Sequence, residues 1–426
     1  MAREMKDSGV DLVGKIPFEW VMKPIKAIAS YNDETINETT DEYFEFDYID
    51  IGSVQYGKGI TQYQRMKFKD APSRARRIVR CNDIIISTVR TYLKAIAKID
   101  DSDFPQVAST GFVVIRAKKT LPLFLYYALL SEAFICAVES HSTGISYPAI
   151  NGSDVVRLKI PIPPDDEQKR LCMFLNNKCA KIDAVLKKTR TSIEEYKKLK
   201  QAIITQAVTK GVRGDRPMKE SGIEWVGRIP ADWDVRRIKT LFSLRDERNM
   251  LPLAEVNLIS LYTDKGVVQH ADLEKTTGNK ASTADGYKKV YQNDIIVNII
   301  LCWMGAIGRS DFDGVTSPAY DVYIPTEEVE SRFYHYYFRT TGFSGDCYKR
   351  GRGIMAMRWR TYSDQFRDIP VAFPPIGEQQ AIVKYLDRMC AQVDALITKK
   401  DSVVSELESY KKSLIYEYVT GKKEVI

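Results

Sequence analysis

The chain is written twice. Residues 5–26 read MKDSGVDLVGKIPFEWVMKPIK, and residues 218–239 read MKESGIEWVGRIPADWDVRRIK, an offset of 213. Asn82-Asp83-Ile84-Ile85 returns as Asn293-Asp294-Ile295-Ile296, an offset of 211. Ile160-Pro161-Ile162-Pro163-Pro164, followed by Glu167-Gln168, returns as Val371-Ala372-Phe373-Pro374-Pro375, followed by Glu378-Gln379. Val208-Thr209 and Val419-Thr420 close the two halves. So many landmarks at offsets of 211 to 213 mark a duplication, which constrains the fold before any element is assigned: two copies of one supersecondary plan. The 426 residues suit that reading, at ~100–200 residues per domain.

Each copy has the same internal order. About 160 residues of mixed character come first, with short β-branched and aromatic runs such as Ile84-Ile85-Ile86 and Phe112-Val113-Val114-Ile115. A double proline then breaks the chain, and a long helical pattern follows. Apolar residues alternate there at steps of three and four, the signature of a coiled-coil seam. The first seam holds Leu175, Ile182, Leu186, Ile193, Tyr196 and Ile203; the second holds Leu386, Val393, Ile397, Val404, Leu407 and Leu414. Cys172, Cys179 and Cys390 lie on the same seams as core residues. Asp165, Asp166 and Glu167 suit a helix start, where acids cap and oppose the dipole, and Gly211 suits its end. At ~1.5 Å per residue such a helix is roughly 60 Å long, too long to lie on its own domain without overhanging it. The first helix ends where the second domain begins, so paired seams must run antiparallel.

The expected fold is α+β: two similar mixed α/β domains, 1–164 and 213–375, separated by two long antiparallel coiled-coil helices, 165–212 and 376–426, with an internal pseudo-twofold.

Composition adds little but excludes much. The 63 Lys+Arg against 56 Asp+Glu leave a net charge of +7, a mild preference for an acidic partner such as nucleic acid. The 24 tyrosines suit a surface that grips phosphate and stacks on bases. No charge-free apolar stretch of ~18 residues exists, so no membrane span is expected. The polar start offers no secretory signal, and the seven cysteines lack CxxC spacing. With only three histidines, this points to a reducing cytosol, a cytoplasmic protein and no zinc site.

Motifs for chemistry fail on inspection. Gly52 to Lys58 has the spacing of a phosphate loop, but Gly59 stands where Ser or Thr would hold Mg²⁺, and a strand turn is the better reading. Asp165 and Glu167-x-Lys169 hint at a nuclease, but the second copy reads Glu378-x-Gln380. No Asn/Asp-Pro-Pro-aromatic stretch for base methylation and no strand-linked G-x-G-x-x-G is present. No catalytic residue, metal or cofactor is therefore assigned.

The order of parts resembles the specificity subunit of type I restriction–modification systems. The resemblance rests on the Pro-Pro-x-x-Glu-Gln helix openings, on Gln206-Ala207-Val208-Thr209-Lys210-Gly211, and on Gly227-Arg228-Ile229-Pro230 with Trp233, echoed by Gly14-Lys15-Ile16-Pro17 with Trp20. It covers essentially the whole chain. It departs at Thr420-Gly421-Lys422, where the second helix lacks the Thr-Lys-Gly ending. The resemblance implies that each globule is a target-recognition domain reading one half of a bipartite site in double-stranded DNA. It implies that the helices space the halves and dock two methyltransferase subunits, and that restriction (helicase-nuclease) subunits join through the complex. Methylation and cleavage would belong to those partners, and this chain would not be an enzyme.

Residues that read bases should differ between the copies. The sharpest contrast is Lys349, Arg350, Arg352, Arg358 and Arg360 in the second half against Ser142, Thr143 and Tyr147 in the first. Arginine suits guanine in the major groove, whereas Ser, Thr and Tyr read less selectively. Further DNA-binding candidates are Arg90, Tyr92 and Lys94, with Trp303 near the position of Tyr92. The basic run Arg76, Arg77 and Arg80 suits phosphate, which sets register without reading sequence. Two rival readings stand beside this one: an adaptor of another phage-defence system, separable by gene neighbours, and a single-chain DNA-modifying enzyme, disfavoured by the missing cofactor motifs.

Overall fold

In the computed structural model, which describes residues 3–270, 283–353 and 359–425, the triple isoleucine forms a central strand of a four-stranded antiparallel sheet. Its order is Ile96–Lys98, Ile84–Ser87, Phe112–Ala117, Ala29–Tyr31. Strand side chains alternate between faces, and here both faces are covered. Ile84 and Ile86 join the core beneath the helices Pro122–Leu130 and Glu132–Ser140, while Ile85 packs with Ala97, Ala108 and Val114 in a second core. Burial on both sides is why the run is continuous isoleucine rather than alternating with polar residues. The second core underlies another sheet, ordered Gln64–Lys67, Glu45–Ile49, Gln106–Ser109, Ala75–Val79, whose middle pair is parallel.

The second half repeats the plan. Ile295–Asn298 lies between Tyr320–Pro325 and Ile307–Arg309. Ile295 and Val297 join the core of helices Ser331–Phe338 and Thr341–Arg350, and Ile296 turns to Ile259, Val290 and Val322.

Two compact units result, Met1–Arg190 with Ser402–Ile426, and Thr191–Asp401. Each combines a mixed α/β domain with the first part of one long helix and the last part of the other. The helices are Asp165–Lys210 and Ile376–Val419. In the first unit Leu175, Ile182 and Leu186 share one buried cluster with Leu414, Cys179 and Ile415, and Val404 and Leu407 pack half-buried at its edge. Asp183 pairs with Lys411 at 2.7 Å and Arg190 pairs with Glu408, so the two segments run antiparallel. In the second unit Leu386, Ile382 and Cys390 share the core with Ile204, Ala207 and Val208, and Ile203 packs against it. Lys200 pairs with Asp394 at 2.7 Å, and the Lys400 ammonium lies 5.6 Å from the Tyr196 ring centroid. Ile193 and Val393 are buried and Ile397 half-buried. Lys411–Asp183 and Lys200–Asp394 are one ion pair occurring twice, displaced by the repeat spacing, with the helices exchanging donor and acceptor.

The duplicated motifs turn out to be joints. Gln168 Oε1 accepts from the Leu121 amide (3.0 Å) and Thr120 Oγ1 (2.9 Å), while its Nε2 donates to the Pro163 carbonyl (3.0 Å). Gln379 likewise accepts from the Glu330 amide (2.9 Å) and donates to the Pro374 carbonyl (2.8 Å). Glu167 accepts from Arg3 at 2.6 and 2.8 Å and from the Trp20 indole at 2.8 Å; Glu378 pairs with Arg216. Read from the sequence as a helix cap, Glu167 is a buried, charge-assisted bolt between helix and domain.

The helix ends are built alike despite their different wording. Gly211 (φ +76°) and Gly421 (φ +71°) take the left-handed conformation that closes a helix and that only glycine adopts freely. Lys210 Nζ donates to the carbonyls of Val226 (2.9 Å) and Arg228; Lys422 Nζ donates to those of Val13 (2.8 Å) and Lys15 (3.3 Å). Burial lowers the pKa of both ammonium groups. Thr-Gly-Lys therefore does the work of Thr-Lys-Gly with the last two residues exchanged, and the Gly-Lys/Arg-Ile-Pro openings supply the carbonyls that these lysines hold.

Candidate nucleic-acid interface

Both units share one hydrogen-bonded frame just beyond the central strand. In the first, the Ile150 amide donates to the Thr88 carbonyl at 2.9 Å, and Thr143 and Ala149 exchange a pair of backbone bonds at 2.9 Å. In the second, the Thr361 amide donates to the Ile299 carbonyl at 2.9 Å, and Arg352 and Arg360 exchange bonds at 2.8 and 3.0 Å. Each frame holds a short 3-10 turn, Thr91–Leu93 or Cys302–Met304, and in the first a loop, 144–148, closed by Thr143 and Ala149, lies beside it. Five residues separate the paired positions in the first frame and seven in the second. The sequence candidates Arg90, Tyr92, Thr143 and Tyr147 are thus brought onto one surface, as are Trp303, Arg352 and Arg360.

The surfaces differ in chemistry. On the first, the Arg90 guanidinium lies 5.2 Å from the Tyr147 ring centroid, and Tyr92 and Tyr147 are exposed. Arg90 (φ +52°) and Lys94 (φ +50°) flank the turn in the left-handed region, which is uncommon for non-glycine residues and frequent at functional sites. Lys94 faces inward to Glu132 (3.7 Å) and Glu139 (3.6 Å), so its charge is largely answered within the protein. Ser142 is half-buried and donates to the Val138 carbonyl.

On the second surface Trp303 packs edge-on to Tyr348 at 5.7 Å, and Tyr348 stacks on Trp359 at 5.1 Å. The Trp359 indole donates to the Tyr348 carbonyl at 3.0 Å and occupies the space that a side chain at position 351 would need, which explains Gly351. Arg350, Arg352 and Arg360 are exposed around this aromatic floor, and Lys349 pairs with Glu224. Arg358 lies outside the described residues. Tyr348 and Trp359 are the members that sequence reasoning passed over; aromatic residues bracketing the arginine run were the available signal.

The basic run lies apart, on and after the strand Ala75–Val79. Arg76 and Arg77 are half-buried, Arg76 lying 5.3 Å from the Phe68 ring centroid. Arg80 pairs with Glu34 at 2.7 Å, and Arg116 bridges Glu34 (2.6 Å) and Asp83 (2.8 Å). Arg80 and Arg116 together hold the Glu34 carboxyl down to about 2.

Among the described residues no group of His, Cys, Asp and Glu is arranged to hold a metal ion. Residues 52–58 lie in and before a small hairpin, Val54–Gln55 with Gly59–Ile60. No single described helix is long and apolar enough to cross a membrane.

Two duplicated mixed α/β domains with long antiparallel helices define a class. The type I restriction modification DNA specificity domain matches residues 17–195 and again 230–406, and the chain belongs to that family. The specificity subunit of type I restriction enzyme MjaVIII from Methanocaldococcus jannaschii is 24% identical to it over 75% of each chain. That of StySPI from Salmonella potsdam is 20% identical over 96% of this chain and 90% of its own. A chain solved in work on complex assembly and conformational transition of the type I R-M system shares the fold, with a TM-score of 0.71 and 20% identity over 96% of this chain and 99% of that one.

Proposed function

We propose that this chain is the DNA-reading subunit of a type I restriction–modification complex, with no catalytic centre of its own. The domains at 1–164 and 213–375 each read one half of a bipartite duplex site. The helical segments 165–212 and 376–426 space the halves and dock two methyltransferase subunits, through which restriction subunits join, in the cytoplasm and without a cofactor bound to this chain. The observation that carries the reading is the repeated frame: one scaffold presents two surfaces of different chemistry, as two different half-sites require. Arg352 and Arg360, with Lys349, Arg350 and Arg358, serve the second half-site, where arginine pairs with guanine O6 and N7. Tyr92, Thr143 and Tyr147, with Ser142, Arg90 and Lys94, serve the first, and Trp303 takes the place of Tyr92 in the second. Arg76 and Arg77 hold phosphate. Arg80 does so only if it leaves Glu34, and an exposed pair of that kind is worth little, ~0–1 kcal/mol.

Purified alone, the chain should transfer no methyl group from S-adenosylmethionine to DNA, and transfer should appear only when methyltransferase subunits are added. Turnover by the isolated chain, measured with radiolabelled methyl donor, would contradict the reading.

A further inference from the structure

The loop that closes the first frame carries a fully exposed aliphatic side chain. Ile145 is 103% exposed, the most exposed large apolar residue among those described, and Val89, Leu93 and Tyr92 are exposed on the adjoining turn. The loop itself is tied down: Thr143 and Ala149 clasp its ends, Gly144 takes φ +105°, and the Thr91 amide donates to the Pro148 carbonyl at 3.3 Å. Isolated apolar residues on a surface mean little, but this one sits at the tip of an ordered loop, beside an arginine stacked on tyrosine. Lys94, the other cation of the turn, is answered by two carboxylates. Among the described residues the first surface thus presents Val89, Tyr92, Leu93, Ile145 and Tyr147 with Arg90, and the second presents Arg350, Arg352 and Arg360 over its aromatic floor. In duplex DNA the apolar feature of the major groove is the C5-methyl of thymine, and an aliphatic side chain distinguishes it by contact alone.

We propose that Ile145 is a specificity-determining residue of the first domain, reading a thymine methyl group in its half-site. The inference rests on the assignment of this surface to DNA and deepens it: the first half-site contains an A·T pair recognised through its methyl.

The test uses the full chain assembled with its methyltransferase subunits, on duplexes carrying the methylated site found in the source genome. Each thymine of the first half-site is replaced singly by deoxyuridine, which removes the methyl and nothing else. For the wild-type protein one replacement should weaken binding about 3–5-fold, the worth of roughly one buried methyl group. Ile145→Ala should weaken binding to the thymine duplex by a similar factor and be indifferent to that one replacement. The side chain is exposed, so the variant should fold as the parent does. A first half-site with no A·T pair, or an Ile145→Ala variant that still loses affinity on methyl removal, would overturn the inference. Arg90→Ala and Tyr147→Ala separate it from the broader reading. If they weaken binding while methyl removal has no effect, Ile145 is misassigned on a true DNA surface. If they too leave binding unchanged, the surface does not face DNA and both readings fall.

Discussion

Replacing Leu186 with Asp should unfold the first unit or bring it to the edge of unfolding. Leu186 is 4% exposed in a cluster that includes Leu414 and Ile415 of the second long helix. Removing a buried leucine costs ~2–5 kcal/mol, and a carboxyl with no cationic partner adds its own desolvation. Against a total stability of ~5–15 kcal/mol the loss is severe. Leu407→Asp, at a half-buried position on the cluster's edge, should cost less. Met173→Asp on the same helix as Leu186 should cost almost nothing, because Met173 is 76% exposed. Thermal unfolding of the three variants, with pull-down of the methyltransferase subunits, tests this order. A Leu186→Asp protein that melts and assembles like the parent would show that the seam does not hold the unit together.

The second large effect belongs to Arg216. Its guanidinium pairs with Glu378, whose side chain is 1% exposed. Arg216→Ala would strand that carboxylate, and breaking such a pair from one side costs ~3–5 kcal/mol. The double variant Arg216→Ala with Glu378→Gln removes the stranded charge and should recover much of the loss, as denaturant unfolding would report. Equal stability of the single and double variants would mean that the carboxylate finds water and is not buried. In the first unit Arg3 is 20% exposed and Glu167 9%, so Arg3→Ala should be milder.

What was legible in the sequence follows from how local each cause is. The repeat, the helical seams and the proline breaks are written in neighbouring residues, and they mark where the long helices begin, after Pro164 and Pro375. The partners of the joints are not local. Arg3 meets Glu167 across 164 positions and Arg216 meets Glu378 across 162, so the sequence offered only an acidic residue at a helix start, which capping explains equally well. The DNA candidates were found by contrast between the copies, a method that sees composition but not pairing. It could not tell that Lys94 is answered by Glu132 and Glu139 from a following helix, or that Arg80 is held by Glu34. Nor could it weigh Ile145, since exposure is a property of the folded loop.

The central claim is that one scaffold, used twice, reads two half-sites independently, and site selection from a randomised DNA pool tests it most directly. The assembled methyltransferase carrying Arg352→Ala should lose preference at one base position of one half-site, at a cost of about 1–3 kcal/mol, with the other half-site unchanged. Loss of preference spread across both half-sites would mean that one composite surface reads the DNA, and would contradict the account.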